Sequence, residues 1–230
     1  MSREPEIIPL HVRSGYSALC GTEPIERLVE AAAAMGHARL ALTDVNSLCG
    51  APRFWHLATR AGIRPIVGAE IKLDDGGRKN RDADHFSPRQ SSVNEQSSGR
   101  KMVSVPIFPP AAREPRFPVP GSSCSLQRAG LVALIESDRG YENLCRLLTR
   151  VHRDEGFDAR AMILAAAELC DGLCLLVDEA ATAEGLLAAG VPAGRMYLGV
   201  DPAAQTDRRL GRLLRLADDR GLAVAAAGEA

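Results

Sequence analysis

The 230-residue sequence reads as an α/β protein built from repeated βα units around a parallel sheet. Three observations carry this reading. Short, β-rich apolar runs alternate with longer stretches whose apolar residues recur at helical spacing. A glycine follows most of the helical stretches, where a left-handed C-terminal turn favours it. An apolar content of 46% with 25% charged residues fits an ordinary soluble globular chain.

The elements follow in order. Residues 7–12 form a short apolar strand. Thr22 is placed to cap a helix with Pro24 in its first turn, where a missing N–H costs nothing. Ile25, Leu28, Val29, Ala32 and Ala33 make one apolar stripe, and Gly36 stops the helix. Residues 40–43 give a strand, 52–61 a helix ended by Gly62, and 63–71 a third strand. The same grammar returns later: strand 131–136, helices 141–152 and 161–169, strand 173–177, helix 180–189 stopped by Gly190, and strand 196–200. Helix 208–220 carries Leu210, Leu213, Leu214 and Ala217 on one face and stops at Gly221, and 222–226 is the last strand.

Residues 74–127 differ in composition. A charged run, a Ser/Gln/Asn-rich stretch and then Pro106, Pro109, Pro110, Pro115, Pro118 and Pro120 cannot bury enough apolar surface to offset ordering entropy. This stretch is expected to be a disordered insertion at a loop, with a small strand at 102–108. The chain therefore divides into 1–73, the insertion 74–127, and 128–230.

Bulk chemistry excludes several classes. A net charge of −1 gives no basic field for nucleic acid, so DNA is expected to be contacted only indirectly, through a larger assembly. No apolar run approaches the roughly 20 residues that span a bilayer, and the polar N-terminus has no signal-peptide core, so a cytoplasmic location and no membrane contact are expected. Six cysteines without a CxxC pair argue for reduced thiols rather than a zinc site.

The tract Pro9-Leu10-His11-Val12-Arg13-Ser14-Gly15-Tyr16-Ser17 carries the most chemistry. A strand ending in His-x-His turns both imidazoles to one side, because side chains alternate with a period of two. Such a pair can ligate one metal. Here the second position is Arg13, a fixed cation that cannot coordinate a divalent ion.

This tract, Leu40-Ala41-Leu42-Thr43-Asp44-Val45-Asn46-Ser47-Leu48-Cys49-Gly50 and Gly62-Ile63-Arg64-Pro65-Ile66-Val67-Gly68-Ala69-Glu70 follow one another as three motifs. Together with Leu131-Val132-Ala133-Leu134 and Gly140-Tyr141-Glu142-Asn143-Leu144-Cys145-Arg146-Leu147-Leu148, they resemble the polymerase-and-histidinol-phosphatase (PHP) domain of bacterial DNA polymerase III alpha subunits. The continuation Asn46-Ser47-Leu48 is most similar to the error-prone branch. The resemblance implies a distorted βα barrel of about seven strands, with ligands at the C-terminal strand ends. It leaves open whether the barrel is incomplete at the C-terminus. Working members resemble phosphoesterases whose clustered metals activate water and clamp phosphate.

Carried over position by position, the ligand pattern is degenerate. His11 keeps the first histidine, Glu70 keeps its carboxylate, and Asp44 remains beside a lost histidine. The second histidine is Arg13, an acidic position is Cys20, the histidine after Asp44 is Val45, and the one before Leu131 is Gly130. A later cysteine position falls near Glu179, and the closing aspartate and histidine fall at Gly228 and Ala230. Arg13 also adds repulsion: a unit charge at 4 Å and an effective dielectric of about 20 is worth roughly 4 kcal/mol, and twice that against a divalent ion. No metal or other cofactor is expected; Arg13 is left to pair with Glu70 or Asp44, and Glu70 is read as a partner of Arg13 rather than a ligand.

The resemblance then implies a non-catalytic PHP-type domain with a structural or interaction role in DNA replication or repair, its partners other polymerase subunits or the polymerase core. No palm-like pair of catalytic aspartates is found in this sequence. The alternative is a metal-dependent phosphoesterase, a 3′–5′ exonuclease or phosphatase, using His11, Asp44 and Glu70 with Zn, Mn or Mg. A third reading gives Arg13 a phosphate to bind.

Overall fold

A computed structural model describes residues 8–17, 20–73, 131–200 and 205–226. The disordered insertion expected at 74–127, its small strand, Gly130, Gly228 and Ala230 lie outside these residues.

Among the described residues six strands form one sheet whose spatial order is their chain order: β1 (Arg39–Val45), β2 (Arg64–Ile71), β3 (Leu131–Ile135), β4 (Leu173–Val177), β5 (Met196–Val200) and β6 (Ala223–Ala226). The helices are α1 (Ile25–Ala34), α2 (Ala51–Arg60), α3 (Asp138–Arg153), α4 (Ala159–Glu168), α5 (Ala180–Ala188) and α6 (Asp207–Arg220). None of the described helices is long and apolar enough to cross a membrane.

The sheet is not wholly parallel. β1 and β2 are parallel, as are β4, β5 and β6, but β3 runs antiparallel to both of its neighbours. Connectivity explains the reversal. Leu131 opposes Ile71, so the chain leaves β2 and re-enters β3 at the same end of the sheet. A parallel return would need a crossover, and the Pro- and Ser-rich stretch between offers no helical pattern to make one. After β3, two helices rather than one bring the chain back to the end it left. Glu136 N donates to Gly172 O at 2.9 Å there.

The expected first strand is absent among the described residues. Residues 8–14 run beside β1 without forming a ladder. Ala41 N donates to Pro9 O at 2.9 Å and Thr43 N to Val12 O at 2.8 Å. Three steps along the tract thus match two along β1, and Pro9 has no N–H to return. Thr22 does not cap α1 either. Pro24 occupies the N-cap with no side-chain bond, and its carbonyl accepts from Arg27 N and Leu28 N.

Burial follows the helical stripes with two exceptions. Ala33 is exposed on α1, and α6 buries Leu213, Leu216 and Ala217 while Leu214 lies 41% exposed. α3 begins earlier than expected because Ser137 caps it, accepting from Gly140 N at 3.3 Å. The main core lies between α3–α6 and strands β2–β5. A second packs α1 and α2 on β1 with Val12, Ile25, Leu40, Leu42 and Phe54. On the other face of the sheet, Ala41, Val132, Leu134 and Leu176 form a small cluster.

Candidate functional site

Parallel strands β1 and β2 end together, and the tract 8–17 passes beside those ends. Register sets the site: Val45 is the Cα partner of Glu70. The two side chains therefore share one face, and Val45, where the motif has a histidine, offers Glu70 only methyl groups. Asp44, one residue earlier on β1, points to the opposite face.

Glu70 is buried, with 3% of its surface exposed, and is surrounded by basic groups. Arg13 Nε donates to Oε2 at 2.6 Å and Nη2 to Oε1 at 3.2 Å, a two-pronged bridge. His11 Nε2 lies 3.2 Å from Oε2, and Lys72 Nζ lies 3.4 Å from Oε1. His11 Nε2 also lies 3.3 Å from Arg13 Nη2. Its single hydrogen can serve only one role: the Nε2–H tautomer donates to Glu70, and the other accepts from Arg13. Burial alone pushes the Glu70 carboxyl up, but the bonds from His11 and Arg13 outweigh it and hold the group at about 2.

Asp44 is 1% exposed and fully occupied. Its Oδ1 accepts from Ser14 N at 2.7 Å, Ser14 Oγ at 3.0 Å and Ser17 Oγ at 2.7 Å, and its Oδ2 from Ser14 Oγ at 2.8 Å. Ser17 Oγ in turn accepts from Val45 N at 3.0 Å. Asp44 thus fastens the tract before it rather than the loop after β1. It does not join Glu70.

The substituted positions fall nearby. Cys20 Sγ lies 4.0 Å from Lys72 Nζ, and Cys20 lines a cleft of about 110 Å³ with His11, Arg13, Gly21, Thr22, Glu23 and Leu28. Glu179 is the N-cap of α5, with a carboxylate oxygen 3.5 Å from Thr182 Oγ1. His152, exposed on α3, bonds the Asn46 carbonyl through Nε2 at 2.7 Å and ties the end of α3 to the loop after β1.

Two residues of the site escaped the sequence reading. Lys72 follows Glu70 by two, and the period-two rule applied to that strand would have placed both on one face. Asp178 directly follows β4, at the same kind of strand end as Glu70. Burial raises its carboxyl against the opposing charge of Arg209, whose Nη2 donates to Oδ2 at 2.9 Å. Among the described residues its Oδ1 has no hydrogen-bond partner.

A metal cluster of the kind the PHP resemblance implies needs several anionic or imidazole donors aimed at one point. Among the described residues no three His, Cys, Asp or Glu side chains converge in that way. His11 and Glu70 are adjacent, yet the same carboxylate also meets the Arg13 guanidinium and the Lys72 ammonium. Two fixed cations facing one carboxylate do not fit a polynuclear metal centre.

The PHP domain family profile matches residues 9–223. Curated relatives match over a shorter stretch. The DNA polymerase III subunit alpha of Escherichia coli (strain K12) is 43% identical over 70 residues, 30% of this chain and 6% of that protein. The error-prone DNA polymerase of Symbiobacterium thermophilum is 46% identical over 69 residues, again 30% and 6%. That of Mycobacterium tuberculosis is 44% identical over 72 residues, 31% and 7%. Each match thus spans a small fraction of a much longer relative. Among solved structures, a Bifidobacterium adolescentis protein described as a metal-dependent phosphoesterase superposes with a TM-score of 0.53 at 13% identity, covering 96% of this chain and 86% of that one. An amidohydrolase from Chromobacterium violaceum, solved with sulfate and no metal, gives 0.51 at 13% identity with the same coverage. At that identity the two structures speak for the fold alone.

Proposed function

The chain belongs to the PHP domain family, and on that premise we propose that it is a non-catalytic member, serving a DNA polymerase III alpha-like, error-prone system as a structural or interaction module. The observation that carries the reading is the Arg13–Glu70 bridge at 2.6 Å. It places a permanent cation on one of the two donors retained at the strand ends. A hydrolytic centre must bind water and phosphate between metals. Here the retained carboxylate is spent on Arg13 and Lys72, Asp44 is spent on Ser14 and Ser17, and Val45 supplies no donor.

The polymerase association rests on the relatives' 43% and 46% identity over 70 and 69 residues, and the proposed setting is replication or repair in the cytoplasm. The proposed partners are the polymerase core or other polymerase subunits, with DNA reached through them; the chain's net charge of −1 supports that indirect route. Its rival is a metal-dependent phosphoesterase using His11, Asp44 and Glu70. One experiment separates them. The purified chain is assayed on a phosphomonoester and on single-stranded DNA with Mn²⁺, Zn²⁺ or Mg²⁺ added, beside its His11→Ala variant. We expect no activity above the variant's. Turnover abolished by His11→Ala would establish the phosphoesterase. Co-purification of the tagged chain with an alpha-like polymerase core tests the partner.

A further inference from the structure

We infer that Arg13 is a built-in substitute for a bound cation, and that the strand-end cluster acts as a clasp holding the N-terminal tract on the sheet. The inference rests on the non-catalytic reading and says what the cluster does in place of catalysis.

The need for a clasp is visible in the backbone. Residues 8–14 form no strand, and among the described residues two backbone hydrogen bonds join them to β1, from Ala41 N and Thr43 N. Yet the tract carries Val12, only 3% exposed, into the core beneath α1 and α2. A segment with so sparse a ladder needs other ties, and side chains supply them on both faces. On one face Asp44 gathers Ser14 and Ser17. On the other, Glu70 of β2 reaches across to His11 and Arg13 of the tract.

A metal held by tract and β2 ligands would cross-link the same two elements. Arg13 does so with a charge carried on the chain, needing no ion from solution. The planar fork suits the task, since Nε and Nη2 address different carboxylate oxygens at 2.6 and 3.2 Å, a pairing a lysine ammonium cannot reproduce. Lys72 meets Oε1 at 3.4 Å but lies beyond β2 itself, so it neutralises Glu70 without holding the tract.

Thermal unfolding of the whole chain, with EDTA and with added zinc, tests this in wild type, Arg13→Ala, Arg13→Lys, Arg13→His and the pair Arg13→Ala with Glu70→Gln. The wild-type Tm should be equal in EDTA and zinc. Arg13→Ala should lower Tm by roughly 6–20 °C, the scale expected when one partner of a buried pair is removed from a chain of this size. Arg13→Lys should also lower it. Adding Glu70→Gln to Arg13→Ala should cost less than Glu70→Gln alone costs the wild type. Arg13→His should be destabilised in EDTA and regain Tm in zinc, because an imidazole there recreates a three-donor corner with His11 and Glu70. Should Arg13→Ala not fold, the lysine and histidine variants decide. An unchanged Tm in Arg13→Ala or Arg13→Lys, or an Arg13→His variant indifferent to zinc, overturns the clasp and leaves the non-catalytic reading standing. A wild-type Tm raised by zinc and lowered by EDTA would overturn both.

Discussion

Replacing Glu70 by glutamine should change the stability of the chain in a way that depends on pH, and the dependence can be worked from the site. Glu70 has a folded-state pKa of about 2 against an ordinary value of 4.5. Burial works against ionisation, so the depression comes from His11 and Arg13 overcoming it. A carboxylate depressed on folding stabilises the fold above its unfolded pKa, and that contribution is lost as pH falls through 4.5 toward 2. The full difference corresponds to about 3 kcal/mol, and because the side chain is only 4% exposed it needs little discount for solvent screening. Chemical denaturation followed by circular dichroism, in a pH series from neutral down to about pH 2.5, measures it. Near neutrality Glu70→Gln should lie about 3 kcal/mol below wild type, and the two curves should converge at the acidic end. Parallel curves, or a gap that widens on acidification, would refute the argument that Glu70 is held ionised by its basic neighbours.

Three further outcomes follow from the same structure. Ser17→Ala removes the hydroxyl that bonds Asp44 Oδ1 and accepts from Val45 N, leaving buried polar groups short of partners; a loss of about 1–3 kcal/mol in denaturant unfolding is expected. Gly140→Ala drives a Cβ into the Gly172 carbonyl, which is backbone and cannot swing aside, so a loss above about 3 kcal/mol is expected in the same assay, whereas Gly194→Ala, with open space around it, should stay within about 0.5 kcal/mol. His152→Ala cuts the link from α3 to the Asn46 carbonyl, and faster amide exchange at residues 46–48 is the expected readout.

Much of the site was legible because its logic is local. Period-two alternation put Arg13 and His11 on one side, charge gave Arg13 a carboxylate partner, and the family resemblance pointed to Glu70. Asp44 was harder. The same alternation turns it away from Glu70, but only the folded tract reveals that Ser14 and Ser17 come back to enclose it. Asp178 and Lys72 were missed for different reasons. Lys72 was overlooked although its spacing from Glu70 gave the signal, while Asp178 joins the neighbourhood only once β4 takes its place in the sheet. In the fold, helical stripes and glycine stops located the elements, with residual errors at caps: Ser137 starts α3 before its glycine, and Pro24 rather than Thr22 opens α1. The direction of β3 was not encoded in its own five residues, which suit either orientation. It is set by where the chain enters and leaves: β3 begins opposite the end of β2, and two helices after β3 return the chain to the end it left.

Metal content of the chain, purified without chelators and measured by inductively coupled plasma mass spectrometry, tests the account most directly. A guanidinium and an ammonium on Glu70, with Val45 beside it, predict no stoichiometric zinc, manganese or iron in the wild-type protein. Two or more equivalents of any of these, lost when His11 is replaced by alanine, would contradict it.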